Sequence, residues 1–126
     1  MITNQSVIGR GMATQEEVNN VNQFILTELF KLCGAIFDFV YYCPHTPEDR
    51  CLCRKPNIGL IKNELVNGRI STSQSFMIGD QESDILFGKN IGVTTILISN
   101  QNDLQTQADY IVSDFSAIKS LIQLPT

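Results

Sequence analysis

The 126 residues carry 9 Lys+Arg against 13 Asp+Glu, a net charge of −4, with 43% hydrophobic and 17% charged residues. That is one domain's worth of chain with enough apolar surface for a core, which excludes wholesale disorder, and its acidic balance argues against nucleic acid or an anionic membrane as partner. No apolar run approaches the ~20 residues of a membrane span, and Met1-Ile2-Thr3-Asn4-Gln5 lacks the regions of a secretion signal, so cytoplasm is the expected location.

The chain opens in Ile2-Thr3-Asn4-Gln5-Ser6, a polar cluster of the kind that follows a strand. The expectation is that the protein starts in a loop or is the C-terminal part of something longer. Thr14 with Glu17 three residues on forms a capping box, and Val18, Val21, Ile25, Leu29 and Leu32 recur at helical spacing up to the stop at Gly34. Cys33, at the end of this helix, is expected to be a small buried hydrophobe. A second helix is predicted from near Pro56, with Leu60, Ile61 and Leu65, to Gly68. A third runs from about Glu82 to Asn90 with Gly92 as its stop, and a fourth opens at Asp114 or Ser116 and presents Ile118, Leu121 and Ile122. Between them, 35–42, 75–78, 94–98 and 109–112 are short apolar runs of strand length. Three are nearly continuous in Ile, Val, Phe and Leu, as strands buried on both faces of a parallel sheet are. Strands alternating with helices give one α/β domain over 1–126, a doubly wound parallel sheet.

Cys43, His45, Cys51 and Cys53 follow the pattern C-x-H-x5-C-x-C and use three of the four cysteines and the only histidine. Three thiolates and an imidazole are the ligand set of a tetrahedral structural zinc site with no open position. Reduced surface pairs or a disulfide are the competing readings, and a cytosolic setting disfavours the disulfide. Arg50, Arg54 and Lys55 then make a local positive cluster in an acidic chain, suited equally to phosphate contact and to a solvated loop. Gly79-Asp80-Gln81-Glu82-Ser83-Asp84 follows a predicted strand, so Asp80 is placed where a carboxylate holds Mg²⁺. Asp80 and Asp84 equally suit the first turn of a helix, where the dipole favours acids. Thr3, Asn4, Gln5 and Ser6 offer phosphate hydrogen bonds, or an ordinary turn.

In order, the motifs are T-N-Q-S, G-x-G-x-x-T, C-P-H-x5-C-x-C-R-K-P-x-x-G and G-D-x-x-x-D-x-x-x-G. That series resembles the haloacid-dehalogenase-like phosphatases, in particular the zinc-containing branch that holds the heptose 1,7-bisphosphate phosphatases and the histidinol-phosphate phosphatases. The resemblance runs from Ile2 to the end. Ile8-Gly9-Arg10-Gly11 with Thr14, and Gly59 after Lys55-Pro56, favour the heptose members. The resemblance implies a Rossmann-like core, structural zinc on Cys43, His45, Cys51 and Cys53, and catalytic Mg²⁺ on Asp80. It also implies phosphoryl contact by Thr3 and Lys55, substrate contact by Asn4, Gln5, Ser6, Arg54 and Gln81, and support from Asp84. Gln81 departs from the basic residue common in close relatives.

The family's nucleophile belongs to a D-x-D motif on the central strand, where one Asp forms an aspartyl-phosphate and the other is the acid–base. No D-x-D occurs in the 126 residues. The implied function is therefore phosphomonoester hydrolysis of a sugar phosphate if a preceding segment supplies that strand. The alternatives are histidinol phosphate as substrate, or a non-catalytic, zinc-stabilised phosphosugar binder. A sheet lacking its central strand is expected to be unstable or to self-associate through the exposed edge.

Overall fold

The computed structural model describes residues 1–101 and 104–122. Two compact units, Met1–Leu60 and Ile61–Thr126, divide the chain. Each is built of parallel strands and helices.

In the first unit, β1 (Ile2–Asn4) pairs in parallel with β2 (Tyr41–Cys43), Thr3 opposite Tyr42 and Asn4 opposite Cys43. A helical turn, α1 (Ser6–Gly9), follows β1, and α2 (Gln15–Cys33) crosses over to β2. Thr14 caps α2: its hydroxyl accepts from the Glu17 amide at 3.1 Å while the Glu17 carboxylate accepts from the Thr14 amide at 2.7 Å. Gly34 ends the helix in the left-handed region, at φ 71°.

Several expectations for this unit need correction. The polar opening is not a loop throughout, because Ile2–Asn4 finds a ladder partner in β2 and Ser6 starts a helical turn. The 35–42 run contributes a strand only from Tyr41, where that ladder begins. Val18 is buried, but Val21, Ile25 and Leu32, on the same predicted seam, are exposed. Cys33 is exposed too, since it occupies the last helical position before the chain turns away, and its thiol rests on the Leu29 carbonyl.

In the second unit, three parallel strands lie in the order β3 (Phe76–Gly79), β4 (Thr94–Ile98), β5 (Tyr110–Val112). α3 (Lys62–Val66), α4 (Glu82–Ile91) and α5 (Phe115–Leu121) accompany them. The second helix begins later than expected, as a 3-10 turn at Gly59–Ile61 that runs into α3, and Pro56 lies outside it. α4 and α5 match expectation, with Gly92 and Asp114 as their caps. Of the three strands only β4 is buried along its middle, because it alone has ladder partners on both sides.

The core is Ile85 and Phe87 of α4 against Val93, Ile96 and Leu97. A glycine lets them meet: a Cβ on Gly88 would stand 2.5 Å from the Thr95 methyl and 2.7 Å from Met77 Cβ, so helix and sheet backbones approach closely only without one.

Asp109 fastens the start of β5 to both β4 and α4. Its carboxylate accepts from the Thr95 amide at 2.8 Å, the Thr95 hydroxyl at 2.9 Å and the Lys89 ammonium at 2.5 Å. The Lys89 contact, then the two from Thr95, hold its pKa down at about 2. A carboxyl depressed on folding stabilises the protein above the ordinary value near ~4 and loses that contribution as pH falls through the folded value. The side chain is 38% exposed, so solvent screening discounts the effect. Asp109→Asn is expected to cost about 1 kcal/mol at pH 7 by urea unfolding, with the gap closing between pH 4 and 2. A gap independent of pH would show that the ionised form contributes nothing.

Candidate functional site

The loop after β2 brings four ligand atoms together. The Cys43, Cys51 and Cys53 sulfurs and His45 Nδ1 all lie within 4.8 Å of one another. Cys43 Sγ stands 3.0 Å from Cys53 Sγ, 3.4 Å from Cys51 Sγ and 3.4 Å from His45 Nδ1, and Cys53 Sγ is 3.2 Å from that nitrogen. These separations far exceed a disulfide bond of about 2.05 Å. They are slightly contracted from the edges, about 3.5–3.8 Å, of a tetrahedron built on Zn–S and Zn–N bonds.

The backbone prepares the sulfurs for negative charge. The His45 amide points at the Cys43 sulfur, and the Cys53 and Arg54 amides at the Cys51 sulfur, so each x-linked pair repeats the same i+2 contact. Burial raises the Cys43 thiol pKa, and burial with the two neighbouring sulfurs raises Cys53 to about 12. Burial also acts upward on Cys51, but contact with Cys43 and the two amides outweighs it and brings the thiol down to about 7. Without a cation such a cluster holds little more than one negative charge, because thiolates this close repel. A soft dication relieves that repulsion, and the donor set fits one.

Around this cluster the loop is closed by its own hydrogen bonds. Thr46 and Asp49 cap a 3-10 turn over Pro47–Asp49, which leaves Arg50 in the left-handed region at φ 48°. Asn57 Nδ2 donates to the Cys51 carbonyl at 2.8 Å, and the Gly59 amide to the Leu52 carbonyl at 3.0 Å. A Cβ on Gly59 would fall 2.3 Å from that carbonyl oxygen, which accounts for the glycine closing R-K-P-x-x-G.

The loop delivers Lys55 to the end of β1. Asn4 brackets it: Oδ1 accepts from the Lys55 amide at 3.0 Å and Nδ2 donates to the Lys55 carbonyl at 3.4 Å. Lys55 Nζ donates to the Ile2 carbonyl at 3.1 Å. Gln5 Nε2 donates to the Thr3 hydroxyl at 3.3 Å, and Ser6 begins α1. Arg54 donates to the His45 carbonyl at 3.3 Å. Thr3, Asn4, Gln5, Ser6, Arg54, Lys55 and the four ligands thus belong to one unit. The bracket by Asn4 and the closures by Asn57 and Gly59 were not legible as such; only the T-x-x-D spacing at 46–49 carried a local signal.

In the second unit, Asp80 is exposed at the C-terminal end of β3 and Gln81 is exposed at the N-cap of α4. Asp84 is buried at 4% exposure, and its carboxylate accepts from the Gln81 amide at 3.2 Å. Gly79 makes room for it, since a Cβ there would overlap the Asp84 carboxylate. The G-D-x-x-x-D spacing is therefore a strand end folded over a buried cap, with Asp80 left outward. A polar cleft of about 280 Å³ opens beside Asp80, bounded by Gln81, Glu82, Ser99 and Thr106 among others. Glu82 fixes its far wall, accepting from the Thr106 hydroxyl at 2.6 Å and the Gln107 amide at 3.0 Å. Among the described residues no lysine or arginine borders the cleft, and two carboxylates do, so it suits a cation over an anion.

Comparison with known proteins agrees with this fold. The HAD-hydrolase-like family profile matches residues 52–118. The chain is 42% identical over 124 residues to a D-glycero-beta-D-manno-heptose-1,7-bisphosphate 7-phosphatase of Helicobacter pylori, covering 98% of this chain and 72% of that one. It is 37% identical over 126 residues to the histidine biosynthesis bifunctional protein HisB of Legionella pneumophila, of which it spans 35%. The crystal structure of the D,D-heptose 1,7-bisphosphate phosphatase of B. bronchiseptica, complexed with magnesium and phosphate, superposes with a TM-score of 0.81 at 24% identity, covering 97% of this chain and 72% of that one. The chain belongs to the HAD-hydrolase-like family.

Gly59→Ala tests the loop closure. The added methyl must push Leu52 aside, an overpacking that costs about 1–3 kcal/mol. Chelator competition on metal-loaded protein is expected to show weaker metal retention than in the unsubstituted chain. Unchanged retention would mean that the close approach of Gly59 is not what holds Cys51 and Cys53 in place.

Proposed function

We propose that the chain takes part in hydrolysis of a sugar phosphate monoester, with heptose bisphosphate the substrate its relatives favour. The observation that carries this is the pinning of Lys55 by Asn4 at the strand end that also bears Thr3, on a loop drawn in by three sulfurs and an imidazole. A lysine so held neutralises phosphoryl charge without reorganising, and Thr3 supplies a hydroxyl hydrogen bond to the same group. Arg54 is the guanidinium for a second substrate oxygen, with Gln5, Ser6 and Gln81 as further polar contacts. Asn4, whose carboxamide is engaged on Lys55, positions rather than touches.

Zn²⁺ is the ion we assign to Cys43, His45, Cys51 and Cys53, as a structural metal. Mg²⁺ is assigned to Asp80, with Asp84 in support; when bound it neutralises charge on the phosphate. Attack on phosphorus by a carboxylate would need a residue outside these 126, because they contain no D-x-D. Three reduced thiols in a ligand cluster fit the cytoplasm, and among the described residues no helix is long and apolar enough to cross a membrane.

A second reading, histidinol phosphate as substrate, is favoured by the 37% identity to HisB. Two measurements separate the outcomes. The pure 126-residue chain should show no Mg²⁺-dependent phosphatase activity yet bind inorganic phosphate, with Lys55→Ala weakening it about tenfold, the worth of one charge-assisted hydrogen bond. Strong turnover abolished by Asp80→Ala would place the attacking group within these residues and refute this assignment. A form carrying a D-x-D strand, assayed on both substrates, decides between them.

β1 and β3 each have a ladder partner on one side only among the described residues, and neither Ile2–Asn4 nor Phe76–Gly79 carries a charge or proline to blunt the other side. We propose that copies of the chain associate through such an edge. Sedimentation should show oligomers that dissociate when a charge is placed at Met77; a monodisperse monomer would contradict it.

A further inference from the structure

A cleft of about 220 Å³ lies in the first unit against α2, lined by Gln5, Val7, Ala13, Glu17, Val18, Val21 and Asn22. Four of these are aliphatic walls. Asn22 is the exception in the helix, a polar residue only 8% exposed. Among the described residues its carboxamide has no hydrogen-bond partner, and none of its polar atoms is sealed off, because those residues contain no fully occluded side-chain nitrogen or oxygen without a partner. Asn22 thus lines the cleft with an accessible amide whose donor and acceptor are both unused. A leucine would fill the same space with no group to offer a polar ligand.

Charge narrows what fits. No lysine or arginine lines the cleft, and Glu17 brings a carboxylate whose contacts with Thr14, through backbone and then side chain, keep its pKa below the usual range. An anion is disfavoured. A flat ring with apolar faces and adjacent donor and acceptor atoms is favoured, since a carboxamide meets such an edge with two hydrogen bonds. Gln5 lies between the cleft and the strand end, with Nε2 already donating to Thr3.

We infer that this cleft is a binding site for a neutral or cationic nitrogen heteroaromatic ring, held by the Asn22 amide between Val7, Ala13, Val18 and Val21. The chemistry of the cleft does not depend on whether the chain takes part in phosphoryl transfer.

Saturation-transfer NMR on the full 126-residue chain tests it with 7-azaindole and indene, two molecules of nearly the same shape, of which only the first has ring nitrogens, an N–H and an acceptor side by side on one edge. 7-Azaindole is expected to bind with a Kd of about 1 mM, and indene about tenfold more weakly. Asn22→Leu should abolish that preference while a cooperative thermal unfolding transition is retained. Inorganic phosphate should not compete, because the cleft offers it no cation. Equal binding of the two ligands, binding of neither, a preference that survives Asn22→Leu, or displacement by phosphate would each overturn the assignment.

Discussion

Three sulfurs and one imidazole nitrogen within 4.8 Å of one another are the constraint on which the first unit's functional face depends. Thiols do not crowd this way for their own sake, because each added thiolate raises the energy of the others. The fold nonetheless aims backbone amides at two of the sulfurs and closes the loop behind them at Asn57 and Gly59. A bound dication turns that crowding from a liability into a clamp. Arg54 and Lys55 follow Cys53 directly, so whatever fixes the cluster also fixes where those cations start.

The same economy governs the acidic pair of the second unit. Asp84 is folded under the strand end, in space that Gly79 leaves open, and caps α4 by accepting from Gln81. With one acid taken up in capping, Asp80 is left outward beside a cleft that carries no positive side chain. Two carboxylates four residues apart thus divide into a buried structural one and an exposed one.

Much of this was legible in the sequence where local chemistry dictates it. The capping box at Thr14 and Glu17, the stops at Gly34 and Gly92 and the cap at Asp114 follow from side chains within four residues, and the described helices respect them. The ligand cluster was legible for the same reason, as its donors fall within eleven residues. What was not legible depends on distant partners. Tyr41–Cys43 becomes a strand only because β1 lies beside it, Val21 and Leu32 are exposed although helical spacing marks them as core, and Cys33 is exposed although a free cysteine is usually buried. The Asn4 bracket on Lys55 spans 51 positions, and no spacing rule announces it.

The central claim is that a metal on the Cys/His cluster sets the position of Lys55, the lysine proposed to contact phosphate. Titration of inorganic phosphate into the 126-residue chain, loaded with one equivalent of zinc and then stripped by chelator, tests it most directly. Zinc removal, or Cys51→Ser, is predicted to weaken phosphate binding about tenfold, comparable to losing one charge-assisted hydrogen bond, while the helical circular dichroism is retained. Phosphate affinity unchanged by loss of the metal would contradict the account.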